Sequence, residues 1–146
     1  MTKGFIYMFA ALLAGCAVKG EPIEFSKACA IENDGKTFEV KGVLSDRGSV
    51  FCSNIGGGRL ECGFDLLESA GSTNKMGAEI EEGSGSNTVT KLESGYKKSD
   101  IKVRDNSGSQ IALGTDVVKA TGKVSVAPAA PGGEGVCFMQ VAKIEK

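Results

Sequence analysis

After the turn signal Asn33-Asp34-Gly35, apolar side chains fall on alternate positions. Phe38, Val40 and Leu44 share one face, with Glu39 and Lys41 on the other. Gly42 sits on the apolar face, where a missing side chain marks a bend at a barrel corner. A second short strand is expected over Ser49 to Asn54. A third is expected over Arg59 to Glu68, where Leu60, Cys62, Phe64 and Leu66 alternate with Glu61, Gly63 and Asp65. Two last strands are expected at Val117 to Ala127, with Gly122 inside, and at Val136 to Ile144; a Pro/Ala/Gly loop joins them.

The glycine run Gly56-Gly57-Gly58 predicts a hairpin between the second and third strands. A three-residue loop pairs Ile55 with Arg59, Cys52 with Cys62 and Val50 with Phe64. Residues 69–113 carry a weaker pattern and read as a long insertion. Its Gly-, Ser- and Asn-rich stretches flank Glu79, Glu81 and Glu82, which read as a solvated loop face. Thr90 to Ser99 is expected to hold one or two helical turns. Ile101 to Asp105 and Ser109 to Leu113 read as a second hairpin, with Gly108 at the positive-φ position. Residues 17–28 read as a leader, with Pro22 set against regular structure.

Composition narrows the chemistry. The chain has 146 residues, no His, no Trp and a net charge of −1. Without His it lacks the commonest metal ligand and the usual general base near neutral pH. The charge balance argues against an electrostatic nucleic-acid binder, which carries a basic surplus. No Ser has a His partner to activate it, and no carboxylate pair stands out, so the expectation is a protein that is not an enzyme and carries no cofactor or metal. Glycines 56–58 lack the strand–loop–helix setting of a phosphate-binding loop; Gly122-Lys123 lacks its Ser/Thr.

The amino end carries a different signal. Lys3 precedes an uncharged run from Gly4 to Val18 that is too short to span a bilayer. The run passes through Leu13-Ala14-Gly15-Cys16, which resembles the lipobox of bacterial lipoproteins. That resemblance implies cleavage before Cys16, lipidation of its thiol, and a bacterial cell-envelope address. Ala17 in place of Asp favours the outer membrane, facing the periplasm. Stable anchoring takes two or more acyl chains. The expected organisation is a signal peptide over 1–15, a lipidated leader over 16–34 and a barrel domain over 35–146.

Export makes disulfides the default state of the remaining cysteines, Cys29, Cys52, Cys62 and Cys137. A zinc site is the alternative, but no close Cys pair and no His supports it. The hairpin register favours Cys52–Cys62, which leaves Cys29–Cys137; all three connectivities are sterically conceivable.

The strand order, with glycines inside the first and fourth strands, carries a family resemblance. Gly35-Lys36-Thr37-Phe38-Glu39-Val40-Lys41-Gly42-Val43, Leu60-Glu61-Cys62-Gly63-Phe64 and the segment Gly114 to Val124 resemble strands of oligonucleotide/oligosaccharide-binding (OB) barrels. The likeness is to the tRNA-anticodon-binding-like OB proteins of bacterial envelopes. It implies an all-β fold, a five-stranded Greek-key barrel; here a long insertion over 69–113 stands between the third and fourth strands, longer than the single connecting helix this fold often carries, with one short helix expected at most. Such barrels commonly bind polymers on the second and third strands. Phe25, Phe51 and Tyr96 are too few surface rings for a stacking track. Lys97, Lys98, Lys102 and Arg104 form the densest basic cluster and the candidate binding residues, interleaved with Glu93, Asp100 and Asp105. The expectation is a lipid-anchored, non-catalytic module for a protein or cell-wall partner. An oligosaccharide or oligonucleotide binder is the alternative.

Overall fold

The computed structural model describes residues 17–46, 50–133 and 135–146. The expected signal peptide and the expected lipidation residue Cys16 lie outside the described residues. The protein is all-β. Its one α-helix, α1 (Phe25–Ala28), is a single turn, and short 3₁₀ turns occur at Ile31–Asn33 and Lys98–Asp100.

Eight strands are found among the described residues: β1 (Glu21–Ile23), β2 (Thr37–Ser45), β3 (Phe51–Gly56), β4 (Arg59–Leu67), β5 (Lys75–Gly83), β6 (Val89–Thr90), β7 (Val117–Ala127) and β8 (Val136–Glu145). The count exceeds the five expected. Five of them close a ring in the order β2-β7-β8-β5-β4, because β4 pairs back onto β2 at Val43, Leu44 and Ser45. Four of the ring's pairings are antiparallel, and β5–β8 is parallel.

The ring does not use the strands in the way the sequence suggests. Ser45 lies opposite Asp65, and Phe51 lies opposite Gly63. Six chain steps on one side thus face two on β4, and β2 and β3 pair in turn with the same strand, β4. The expected second strand therefore pairs only with β4. The missing ring member is β5, within the stretch read as a solvated loop. There Met76, Ala78 and Ile80 are buried and alternate with Gly77, Glu79 and Glu81. The expected helical turns over 90–99 are also absent; one 3₁₀ turn at Lys98–Asp100 stands there.

Two glycines allow the ring to close. A Cβ on Gly42 would lie 2.5 Å from the Leu67 carbonyl oxygen, where β2 changes neighbour from β7 to β4. A Cβ on Gly122 would overlap the Gln140 carbonyl, at the register shift between β7 and β8. Only a residue without a side chain fits such an approach.

Alternate residues of the ring point inward and form one core, with Leu44, Phe64, Leu66, Ile80, Val124, Met139 and Ile144 among them. Segment 84–116 contributes Val89, Ile101, Val103 and Ile111 to the same core. The second hairpin is present in shortened form. The Arg104–Gln110 bridge and the bond from the Ile111 amide to the Val103 carbonyl (2.9 Å) hold it, with Gly108 at φ 84°.

The leader is not a free tether. β1 runs parallel to β2 at residues 38–40, along an edge that β4 does not reach. Pro22 is tolerated because β1 is the terminal strand of the sheet. Ala28 is fully buried, and Cys29 is bonded to Cys137 on β8.

Candidate binding face on the outer wall of the barrel

The period-2 rule that sends Cys62, Ala78, Met139 and Val124 inward sends their neighbours outward. Registers between strands then align a row across the outer wall: Phe51, Gly63, Glu79, Gln140, Lys123 and Thr37. A parallel row holds Ser53, Glu61 and Glu81. Gly63 leaves open backbone in the first row, since a Cβ there would meet only the Phe51 carbonyl oxygen, at 3.8 Å.

A surface cavity of about 500 Å³ opens along these rows, lined in part by Glu61, Glu81, Asn87, Lys123 and Gln140, with Val18 of the leader beside them. Asn87 adopts a left-handed φ of 58°, and its Oδ1 accepts the Ile144 amide at 2.8 Å. Arg59 Nη1 contacts Glu81 Oε1 at 3.3 Å.

The electrostatic centre of this wall is a carboxyl pair. Glu79 is held above the ordinary glutamate range, first by burial, then by the charge of Glu61 and a hydrogen bond to it. Glu61 Oε2 is buried with no hydrogen-bond partner among the described residues. The wall thus offers hydrogen-bond acceptors, an amide and an ammonium group. These are groups that hold a hydroxyl-bearing or amide-bearing ligand.

The candidate basic residues make separate local contacts. Lys98 Nζ donates to the Asp46 carbonyl at 2.8 Å, whereas Arg104 Nη1 donates to the Ser84 carbonyl at 3.1 Å, so the two reach different segments. The Lys97 amide bonds Asp100 Oδ2 at 2.8 Å, and the Lys102 carbonyl accepts the Thr90 amide at 2.8 Å. Of the three candidate surface rings, Phe25 packs against the core, while Phe51 and Tyr96 are exposed.

All four downstream cysteines are paired, as Cys29–Cys137 and Cys52–Cys62. A zinc site on them is thereby replaced by two disulfides. Sequence reasoning saw Glu61 as the polar side of its strand but missed Glu79, Lys123 and Gln140. The alternation over 76–81 was the signal for Glu79; the others are brought there only by strand pairing.

No helix among the described residues is long and apolar enough to cross a membrane. Comparison with known protein families, curated proteins and solved structures found no match to this chain.

Proposed function

We propose that the protein is a lipid-anchored domain of the bacterial cell envelope, an OB-type barrel that acts as a non-catalytic binding or structural module. Cys16 carries the anchor, at the outer membrane facing the periplasm. The observation that carries this reading is the pairing of all four cysteines downstream of the lipobox-like sequence. Two disulfides persist in an oxidising compartment, and lipoprotein export delivers the chain to one. The closed five-strand ring supports the barrel assignment.

Metabolic labelling with an alkyne fatty acid tests the anchor in the full chain. The intact protein takes up label and partitions with membranes. The Cys16→Ser variant takes up none and keeps its signal peptide. Equal labelling of both, or processing of the variant, overturns the reading. Cross-linking in intact cells, followed by mass spectrometry, then identifies the protein or wall component that the domain holds.

The outer-wall cavity favours one form of the alternative, an oligosaccharide ligand. Glu61 and Glu81 line the cavity and repel a phosphate backbone, while acids and amides hydrogen-bond to hydroxyls. Titration with wall-derived glycans tests it. Binding lost on Gln140→Ala supports the glycan, and preferential binding of single-stranded nucleic acid overturns it.

A further inference from the structure

The two terminal strands of the sheet differ in how they meet solvent. β1 carries Glu21 and Pro22, the charge and proline that ordinarily protect a strand edge. β3, Phe-Cys-Ser-Asn-Ile-Gly, has neither a charge nor a proline along its six residues. It pairs with β4 alone, and among the described residues no other backbone bond reaches it. Phe51 is 71% exposed and Ile55 37% exposed.

The register shows which backbone groups are open. Cys52 and Cys62 stand 4.0 Å apart at Cα, the close spacing of a non-hydrogen-bonded antiparallel pair rather than the wider spacing of a bonded one. The amides and carbonyls of Cys52, and of Asn54 two residues on, therefore point away from β4. The next amide, that of Gly56, is taken by the Asn54 side chain at 2.8 Å, which ends the open stretch. Four backbone groups centred on Ser53 remain.

We propose that this edge pairs with itself: two copies of the chain join antiparallel through β3, about a two-fold axis at Ser53. In this register Cys52 of each copy faces Asn54 of the other, so the four open groups of each strand find partners. Phe51 of each copy then lies opposite Ile55 of the other, on the side-chain-close type of pair, where an aromatic ring and a β-branched side chain stabilise one another. Centring the pair on Cys52 or on Asn54 keeps the hydrogen-bond parity but separates Phe51 from Ile55. An uncharged strand also suits a partner identical to itself, because a two-fold pair would bring any charge on it against its own copy. The Cys52–Cys62 bridge holds the strand in its pairing shape before contact.

Photo-cross-linking in the full-length chain, in intact cells, tests the pairing. A benzophenone side chain placed at Ser53 gives an adduct of twice the monomer mass, and peptide mapping joins residue 53 to residues 51–55 of a second copy. The same probe at Glu21 gives none. Phe51→Lys lowers the dimer adduct about tenfold, and adding Ile55→Glu to it restores the adduct by pairing opposite charges across the axis. Both positions are exposed, and an unchanged Cys52–Cys62 bridge and melting curve certify folding. An adduct with a different protein, no adduct at Ser53, or failure of the double variant to restore it overturns the proposal.

Discussion

Cys29 and Cys137 lie 5.7 Å apart at their Cα atoms, although 108 residues separate them in the chain. This bond ties the residue after α1 to the start of the last barrel strand. Cys52–Cys62, with a separation of 10, only closes a hairpin whose register already sets the two residues face to face. Chain entropy gives roughly 4–5 kcal/mol for the long loop and about 2–3 kcal/mol for the short one. Cys29→Ser/Cys137→Ser should therefore lower the urea midpoint more than Cys52→Ser/Cys62→Ser. Equal losses in chemical denaturation would contradict the ranking.

Gly122 and Gly63 make a paired test of backbone proximity. A Cβ at Gly122 runs into the Gln140 carbonyl, while a Cβ at Gly63 meets nothing closer than 3.8 Å. Gly122→Ala should destabilise by about 1–3 kcal/mol or more, and Gly63→Ala should stay within about 0.5 kcal/mol of the parent. Thermal melts of the two variants measure both.

Glu79 gives the barrel a pH dependence of defined sign. Its folded pKa is raised, chiefly by burial and then by Glu61. The stabilisation from a protonated Glu79 is full below the ordinary glutamate value. It is lost as pH rises through the raised folded value. The charged groups arrayed around it are Glu61 and the Arg59–Glu81 pair on β4 and β5, and Lys123 on β7 beyond the neutral Gln140. Glu79→Gln keeps a donor toward Glu61 and should flatten the slope, so that the variant is more stable than the parent above that range. Urea titrations at a series of pH values would show it; an unchanged slope would count against the raised Glu79 pKa.

Asp105 acts in the opposite sense. Its carboxylate accepts the Ser107 hydroxyl at 2.7 Å and the Ser107 and Ser109 amides at 2.9 Å each. The Ser107 hydroxyl bond is the main cause that holds its pKa below the ordinary aspartate range. Its contribution is present above the unfolded pKa and disappears as pH falls through the depressed folded one. Asp105→Ala leaves two amides without their acceptor in the turn that positions Val103 and Ile111, and should cost about 1–3 kcal/mol near neutral pH. Hydrogen exchange of the Ser107 and Ser109 amides gives a local readout.

Where alternation was uninterrupted, the sequence was a reliable guide. Phe38 to Leu44 and Leu60 to Leu66 lie in β2 and β4, and the triple glycine brought Cys52 opposite Cys62 as expected. At the tip the chain departs from the expected loop. Gly56 pairs with Arg59, leaving Ile55 as a bulge and Gly57-Gly58 as the turn, with φ of 63° and 73°. β5 was missed because acids dominate its outer face and glycines flank it, so Met76, Ala78 and Ile80 were overlooked. β1 was missed because three residues beside a proline carry no periodic signal; its conformation comes from the β2 edge. The outer wall was legible only strand by strand. Which strands stand side by side follows from ring closure, which no local pattern encodes.

The two disulfides are nested, with the bond from Cys29 to Cys137 enclosing the whole of the other. On the export proposed above, amino end first, this sets an order of events. Cys52 follows Cys29 by 23 residues and Cys137 follows it by 108, so the earliest oxidation open to the chain joins Cys29 to Cys52, the wrong pair. Hairpin formation at glycines 56–58 withdraws Cys52 from that competition by presenting Cys62 to it. Cys29 then stays a free thiol until the final strand arrives, or reaches its partner by thiol–disulfide exchange. The glycine turn, a matter of local backbone freedom, thereby protects the most distant covalent bond in the molecule.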